Sequence, residues 1–344
     1  MVSIHSGVSD GEVDEKDLPK KVKRIDDKSQ YKKAVSGDLV FNMMRAWQGA
    51  IGTVRTTGMV SPAYIVAQPN DKVYPLFMDY YTRTPQMINQ IDRQSYGVTD
   101  FRKRLYWDAF TPIGCILPPI GEQRIIAATL TTQDKVIELK EKPLAEKQRQ
   151  KKYLMHRFFI DSDGKKIRLG QIANVTMGQS PRFISYNEHM EGMPLIQGNG
   201  DIEGRNTQPR MYTTQPTKIC KKEDILISVR APVGSVSRSG MTACIGRGMC
   251  AIDAGIYQDY IYQYLIYFED KWGKVSQGST FESISGDEIR KLKILIPDNM
   301  QHIAKILSTA DREIDLLRQD IEQVKQKKKA LMQLLLTGIV RIKL

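Results

Sequence analysis

The sequence is poor in the residues from which catalytic and metal sites are most often built. Among its 344 residues there are only four cysteines and four histidines. The cysteines form no C-x-x-C pair and the histidines form no H-x-x-x-H pair, so their spacing excludes the usual zinc sites. We therefore expect ordinary buried thiols in a reducing compartment, and no metal held by this chain.

Phosphate-binding, base-flipping and membrane-spanning motifs are also missing. There is no G-x-x-x-x-G-K-[ST] loop, no G-x-G-x-x-G turn, and no Asn/Asp-Pro-Pro-Tyr/Phe run of the adenine methyltransferase kind. No stretch approaches 18 apolar residues and the N-terminus has no apolar signal region, so we expect a cytoplasmic protein. Asp134, Glu138 and Lys140 resemble a nuclease triplet, but charged triplets are common on helices. The sequence thus predicts a chain without a catalytic site.

The sequence does have an excess of positive charge and enough apolar residues for more than one core. Lysine and arginine number 51 against 39 aspartate and glutamate, a formal charge of +12, and 41% of the residues are hydrophobic. The length suits two or three domains. A basic surface attracts polyanions such as nucleic acid, although charge alone does not identify the partner.

A short segment with a β-like pattern occurs twice. Gly37–Ile51 reads GDLVFNMMRAWQGAI, and Glu223–Val236 reads EDILISVRAPVGSV. With one residue skipped, Arg45 corresponds to Arg230. Each copy has an acidic residue, an apolar run, Arg-Ala and a glycine-containing turn, which predicts a strand, a turn and a second strand.

A longer segment with a helical pattern also occurs twice. Asp134–Phe159 aligns with Asp311–Leu336 without a gap. Pro143 interrupts the first copy and should kink or split its helix. The order is therefore globular unit, long helix, globular unit, long helix, and two copies of one unit imply a pseudo-twofold molecule.

Each helical segment carries a heptad-like apolar seam that requires a partner helix, and the two segments are the obvious partners of each other. The predicted seam residues are Ile137, Leu144, Leu154 and Phe158 in the first segment, and Ile314, Leu317, Ile321, Val324, Leu331 and Leu335 in the second. The basic runs at 149–152 and 325–329 either face DNA phosphates or are simply solvated, and the sequence leaves both interpretations open.

The globular units mix strand, turn and short-helix patterns, so the predicted fold class is α+β. The predicted boundaries are 1–117 for the first unit, 118–160 for the first long helix, 161–296 for the second unit and 297–344 for the second long helix. In the second unit, IRLGQIANVTMGQSPR reads as a short helix before a turn, and Tyr257–Phe268 as an amphipathic helix. The first unit has no counterpart of the former segment, and by the repeat we expect it to lack roughly 25–30 residues at its start.

The ordered pair of repeats resembles the specificity subunits of type I restriction-modification enzymes. The segments that carry the resemblance are Asn42–Tyr64 (NMMRAWQGAIG…SPAY), Leu117–Ala127 (LPPIGEQRIIA), Leu169–Pro181 (LGQIANVTMGQSP) and Met300–Asp315 (MQHIAKILSTADREID). One such motif would be a weak signal, but four in this order cover nearly the whole chain.

The resemblance implies two target-recognition domains held apart by two long antiparallel helices, each domain reading one half of a split DNA sequence. It also implies a non-catalytic subunit whose partners are double-stranded DNA, two methyltransferase subunits and nuclease-translocase subunits, with no membrane. S-adenosylmethionine, ATP and magnesium would belong to those partners, so we expect no cofactor in this chain.

Polar side chains in turns beside strands are the candidates for DNA contact, because bases are read through donors and acceptors in the major groove. In the first unit the predicted contacts are Asn42, Arg45, Trp47, Gln48, Arg83 and Arg102. In the second unit they are Arg182, Gln197, Asn199, Arg205, Arg230, Arg238 and Thr280. For Arg45 and Arg230 the alternative is that each holds a shared turn by bonding to carbonyls.

Three other functions stay open at this point. The alternatives are a coiled-coil scaffold that never binds DNA, a specificity subunit made inactive by its incomplete first unit, and an enzyme. The enzyme would be the C-terminal half of a fused restriction-modification protein or a nuclease with an unrecognised site. Salt-dependent DNA binding by the assembled complex would exclude the scaffold, and a nicking assay with metal would test the nuclease.

Overall fold

The chain folds into two compact units in a computed structural model. The structure describes residues 30–97, 102–272 and 283–342, and the backbone of two short strands at Val2–Ile4 and Glu12–Asp14. The first unit joins Met1–Glu141 to Gln319–Leu344, and the second is Lys142–Arg318. Each unit therefore contains a globular part and a portion of both long helical segments.

The first unit combines small antiparallel sheets with short helices. Its strands are β1 (Val2–Ile4), β2 (Glu12–Asp14), β3 (Lys32–Ala34), β4 (Leu39–Asn42), β5 (Ile51–Thr53), β6 (Gly58–Val60) and β7 (Tyr64–Ala67). Its short helices are α1 (Pro75–Tyr81), α2 (Pro85–Gln94) and α3 (Trp107–Phe110). The strands pair in the orders β1-β2, β3-β6 and β5-β4-β7. Phe41, Ile51 and Ile91 are fully buried where the last of these sheets packs on α2.

The first long helix, α4 (Ile120–Ile160), runs from the first unit into the second. It is continuous through Pro143, so the chain is not split at that residue. A proline inside a helix removes one N–H donor, and the acceptor left without a partner is the carbonyl four residues earlier, at Leu139. Leu139 is 62% exposed, so this carbonyl lies on the solvent side of the helix, where water can replace the missing donor.

The second unit is a larger α+β domain, which agrees with the predicted fold class. Its strands are β8 (Lys165–Arg168), β9 (Asn174–Met177), β10 (Tyr186–Asn187), β11 (Met193–Ile196), β12 (Ile202–Glu203), β13 (Asn206–Thr207), β14 (Met211–Thr213), β15 (Ile219–Cys220), β16 (Ile225–Ser228), β17 (Val236–Arg238), β18 (Ala243–Ile245), β19 (Met249–Asp253) and β20 (Lys293–Ile296). Its short helices are α5 (Leu169–Ile172), α6 (Gln258–Phe268) and α7 (Gly286–Lys291). The sheet orders are β10-β14-β11-β18-β15, β12-β13-β17-β16-β19-β9 and β20-β8.

The tyrosine-rich helix predicted near residue 257 is confirmed as α6, and its aromatic face packs on α4. The Phe159 ring lies 5.5 Å from that of Tyr260 and 5.3 Å from that of Tyr264, in edge-to-face contacts. The segment read as a short helix before a turn also contains strands β8 and β9 on either side of α5, which the sequence pattern did not separate.

The second long helix, α8 (Met300–Leu336), pairs with α4 in the antiparallel sense in each unit. The interhelical ion pairs are Asp134–Lys328, Lys140–Asp320 and Glu141–Lys325 in the first unit, and Lys147–Glu313 and Lys151–Asp311 in the second. From Asp134 to Lys151 along α4, the paired residues on α8 run backwards from Lys328 to Asp311. The two helices are therefore antiparallel, as the family resemblance implied. The basic runs at 149–152 and 325–329 thus supply several of these pairs.

The predicted seam residues differ in burial. Ile314, Ile321 and Leu335 are buried, while Leu317, Val324 and Leu331 are half-buried. Those on α4, namely Ile137, Leu144, Leu154 and Phe158, are also half-buried. The heptad spacing places Lys328 between Val324 and Leu331, so a lysine interrupts the apolar row.

The strand–turn–strand repeat is present in both units with the same topology. Strand β4 lies between β5 and β7, just as β16 lies between β17 and β19. Asp38 accepts a hydrogen bond from the backbone N–H of Val35 at 2.8 Å, and the corresponding Asp224 accepts one from Lys221 at 2.7 Å. The turn glycine that follows the repeated arginine has a positive φ in both copies, 93° in the first and 88° in the second. The predicted repeat is therefore confirmed in local conformation as well as in sequence.

The two copies differ in what covers the outer strand. Strand β19 pairs with β9 on its far side, whereas no described strand pairs with that side of β7. Ile294 in β20 is fully buried beside β8 and directly precedes Leu295-Ile296-Pro297; Ile116, which directly precedes the similar Leu117-Pro118-Pro119 and is therefore its counterpart in the repeat, is 81% exposed. The neighbouring Cys115 is also exposed, so the prediction that all four thiols are buried is wrong for this one.

Candidate DNA interface

A tight loop at residues 178–182 forms one corner of the second domain. A Cβ at Gly178 would lie 2.1 Å from the carbonyl oxygen of Gly246, so only glycine allows the loop to approach the neighbouring chain so closely. The backbone N–H of Gln179 donates to the carbonyl of Ile245 at 2.9 Å, and the N–H of Arg247 donates to the hydroxyl of Ser180 at 3.2 Å. Two loops from distant parts of the sequence are therefore fixed side by side.

Unpaired cations surround this corner. Arg182, Lys218 and Arg247 are exposed, and none forms an ion pair with a described residue. The carbonyl of Lys218 accepts the N–H of Ile245 at 2.8 Å, which places this residue beside the same loop. Guanidinium and ammonium groups that are free of carboxylates are available to bind phosphate.

Arg45 and Arg230 occupy the same turn in the two copies, and both are exposed. The backbone of Arg45 closes its turn, accepting the N–H of Ala50 at 3.1 Å, and the backbone of Arg230 forms an isolated bridge with Ser283. If each arginine held its turn, its guanidinium would bond to a carbonyl, but neither guanidinium does so with a described residue. Both side chains remain candidates for DNA contact.

Two other predicted arginines of the second domain are engaged within the protein. Arg205 forms a bidentate pair with Glu269 at 2.7 and 2.8 Å, and it donates to the carbonyl of Val236. The hydrogen bonds that Arg205 donates to the Glu269 carboxylate raise the pKa of Arg205. Arg238 donates to Asp259 at 2.6 Å and lies 4.3 Å from the Tyr262 ring centre. These contacts connect the turn between β12 and β13 to the residue after α6, and β17 to α6, and they give both arginines a structural role.

The remaining predictions for the second domain fall in different places. Gln197 and Asn199 lie on the loop after β11, the first exposed and the second half-buried. The N–H of Gln197 donates to the buried carboxylate of Asp201 at 2.8 Å, which fixes this loop. Thr280 lies outside the described residues.

In the first domain, three predicted residues have internal partners. The Asn42 side chain accepts the N–H of Met44 at 3.0 Å, and the Trp47 indole donates to the carbonyl of Met44 at 3.1 Å. Arg83 pairs with the buried carboxylate of Asp79, and burial raises the pKa of Asp79. Gln48 and Arg102 are exposed.

Each globular part is joined to the helix pair by a similar cluster. In the first unit, the hydroxyl of Tyr80 on α1 donates at 2.6 Å to Asp134, which also pairs with Lys328. In the second unit, Gln263 on α6 donates at 2.7 Å to Asp311, which pairs with Lys151 at 2.5 Å.

The two clusters are related by the sequence repeat. Asp134 and Lys151 on α4 align with Asp311 and Lys328 on α8. The two lysine side chains are only 10% and 12% exposed, so both pairs are largely removed from solvent. Burial lowers the pKa of Lys151, and Asp311 acts in the opposite direction.

The comparisons with known proteins agree with the family resemblance found in the sequence. A family model described as type I restriction modification DNA specificity domain matches residues 161–326. The chain is 34% identical over 251 residues to the MjaX type I restriction enzyme specificity subunit of Methanocaldococcus jannaschii, covering 66% of this chain and 59% of that protein. It is 22% identical over 362 residues to the MjaVIII specificity subunit of the same organism, covering 92% and 83%. By these matches, the chain is similar to type I specificity subunits over most of its length.

Solved structures of type I systems support the same fold for this chain. A chain from work on complex assembly and conformational transition of the type I R-M system matches with a TM-score of 0.64 at 23% identity, covering 97% of this chain and 89% of that one. The S subunit from M. genitalium matches with a TM-score of 0.62 at 15% identity, covering 90% and 84%. At these identities the likeness concerns the fold alone. The chain spans 59% of the length of its MjaX relative.

Lys218 and Arg247 were missed by reasoning from the sequence. Both lie in turns beside strands, as the other candidates were expected to, but neither belongs to the repeated segments. Their placement beside residues 178–182 depends on strand pairing that joins β18 to β11 and β15. No sequence signal known to us would have selected them from the 51 lysines and arginines.

The residues that resembled a nuclease triplet do not form one site. Asp134 bonds to Tyr80 and Lys328, while Lys140 pairs with Asp320 further along the helix. Over the described ranges, no group of three or more His, Cys, Asp or Glu is arranged to hold a metal ion. The same part of the chain contains no helix with the length and apolarity needed to cross a bilayer. Burial raises the pKa of the Cys250 thiol to about 12, which makes it a poor nucleophile.

Proposed function

We propose that this chain reads a bipartite, gapped DNA target, one half with each globular domain, within a type I restriction-modification enzyme. The observation that carries the proposal is the repeated turn, which presents an exposed arginine, Arg45 or Arg230, from the same strand pair of each domain. An arginine that is free of carboxylates can bond bidentately to guanine in the major groove.

The helix pair would fix the spacing between the two half-sites and dock the methyltransferase and nuclease-translocase subunits. The antiparallel ion pairs support this role because they join the two helices through charged contacts that are specific in register. Tyr80 and Gln263 join each domain to the same aspartates. In this proposal the chain supplies no catalytic group, and S-adenosylmethionine, ATP and magnesium are bound by the partner subunits.

The proposal predicts that the two arginines affect different halves of the target. We expect Arg230→Ala to relax or abolish recognition in one half-site and Arg45→Ala in the other, each by about 1–3 kcal/mol of discrimination. The measurement is a genome-wide map of adenine methylation in a host that carries the partner methyltransferase. Arg168→Ala, which removes an exposed arginine of β8 outside the repeated strands and turn, is the control and should leave the motif unchanged.

The alternative functions predict different maps. A scaffold that never binds DNA would give no methylation that depends on this gene. A motif with only one defined half would mean that the first domain does not read DNA, and Arg45→Ala would then have no effect. The proposal is wrong if both arginine variants leave a two-part motif unchanged.

A further inference from the structure

Two of the most exposed apolar side chains in the second domain lie next to each other. Phe183 is 86% exposed and Ile184 is 89% exposed, in a short 3-10 turn at Phe183–Ser185 that precedes β10. Single exposed apolar residues are common on protein surfaces. An exposed phenylalanine and isoleucine next to each other in one short turn require an explanation.

The turn holds these side chains outward on a well-fixed backbone. Ser185 is buried, and its hydroxyl donates to the carbonyl of Arg182 at 2.7 Å and bonds to the hydroxyl of Thr213 at 2.8 Å. The N–H of Thr214 donates to the carbonyl of Ser185 at 3.1 Å. The Phe183 ring lies 5.6 Å from that of Tyr186. The exposure is therefore a property of a braced turn, in which a polar residue takes the inward position.

The charges next to the turn are positive, and they form no ion pair with a described residue. Arg182 directly precedes it, and Arg247 is bonded to Ser180, three residues before Phe183. The nearest acidic residues in the sequence, Glu188 and Glu191, lie beyond β10, in a turn that the side chain of Asn187 closes on itself. The apolar tip thus has a cationic side, which suits a polyanion with an apolar interior.

Duplex DNA matches this combination better than a protein surface does. A stable protein interface buries about 800 Å² on each partner, far more than two side chains provide. Proteins that kink DNA insert Phe, Leu or Ile between base pairs while neighbouring cations hold the phosphates. We propose that Phe183 and Ile184 form a wedge that enters the stack of the half-site read by the second domain and unstacks one base step.

This wedge rests on the proposed function, because it requires that the second domain contacts DNA. It adds a contact that is independent of base-edge hydrogen bonding. Unstacking one step would also lower the energy needed to turn a neighbouring base out of the helix, which is what a methyltransferase partner must do to reach it.

The test uses the chain assembled with its methyltransferase partner and duplexes in which 2-aminopurine, which fluoresces more strongly when unstacked, is placed at successive positions of the target. We expect the wild-type complex to raise the fluorescence at one step of one half-site. The F183A/I184S variant should lose this signal and bind the target about tenfold or more weakly. The control is Ile256→Ser, because Ile256 is 73% exposed in the same domain but lies in the 3-10 turn that precedes α6, and it should change neither readout.

Salt dependence separates the wedge from the phosphate contacts. The slope of log affinity against log salt reports phosphate neutralisation, so F183A/I184S should leave it unchanged, while R182A and R247A should each reduce it by about one. If the wild-type complex binds with a salt-dependent affinity but the double variant matches it in fluorescence and affinity, the wedge is wrong and the proposed function stands. If the double variant fails to join the methyltransferase, these residues contact protein and the wedge is wrong. If the wild-type complex does not bind DNA, both proposals fail.

Discussion

Replacing Ile294 with alanine should lower the free energy of unfolding of the second domain by about 3 kcal/mol, whereas the same change at Ile116 should alter the first domain by less than about 0.5 kcal/mol. The two isoleucines are counterparts in the repeat, but Ile294 is fully buried between β8 and the core, and Ile116 is 81% exposed. Removing a buried side chain loses its transfer free energy and leaves a cavity, and neither loss applies at an exposed site.

Amide hydrogen exchange read by peptide is the appropriate measurement, because the chain has two units and a single unfolding midpoint would mix them. Peptides from β20 and α6 report the second domain, and peptides from β4 and α2 report the first. Equal losses at the two isoleucines would contradict the prediction, since they would mean that residues 113–117 are covered as fully as β20.

Replacing Asp311 with alanine should destabilise the second unit by about 2–3 kcal/mol. The change leaves Lys151, whose side chain is only 10% exposed, without its carboxylate, and it removes the acceptor of Gln263. Leaving one charge of a buried pair uncompensated is costly because the surrounding protein solvates it poorly, although the partial exposure of Asp311 lowers the figure. The loss is measured by amide exchange in α6, as for Ile294.

A second change separates a lost interaction from a damaged fold. Adding Lys151→Met to the Asp311→Ala variant replaces the unpaired charge with an apolar chain of similar length, and we expect it to recover most of the loss. Asp320→Ala is the matched control, because its partner Lys140 is 35% exposed, and an exposed pair contributes only about 0–1 kcal/mol. If Asp311→Ala is as harmless as Asp320→Ala, the cluster does not stabilise the junction between helix and domain.

The clusters at Asp134 and Asp311 also explain why the helix seam contains lysine. An unbroken apolar row would hold the helices together but would tolerate a shift along their axes. A lysine with one well-placed aspartate disfavours a shifted register, because the shift would leave both charges unpaired. Under the proposed function, in which the helices set the gap between two half-sites, the register of the helix pair would determine that gap.

Much of the fold could be predicted because it depends on residues that are close together in the sequence, or on a segment that occurs twice. The helical pattern without Gly or Pro from Met300 onward predicts α8, and the tyrosine-rich segment predicts α6, since helices depend on neighbours three and four residues apart. The repeated strand–turn–strand, with its glycine at positive φ, is recognisable for the same reason. Strands β8 and β9 were missed because only pairing with β20 and β19, far away in the sequence, makes them strands.

The candidate site shows where the sequence stops being informative. By itself the sequence determined the repeat, the α+β class, the long helices and a set of arginines in turns. Only the tertiary structure decided that Arg205 and Arg238 bond to carboxylates, while Arg45, Arg182 and Arg230 stay free of described partners. It also decided that Lys218 and Arg247 lie at the corner formed by residues 178–182. The physical reason is that local backbone preference depends on adjacent residues, whereas the availability of a charged side chain depends on which carboxylate the folded chain brings within hydrogen-bonding distance.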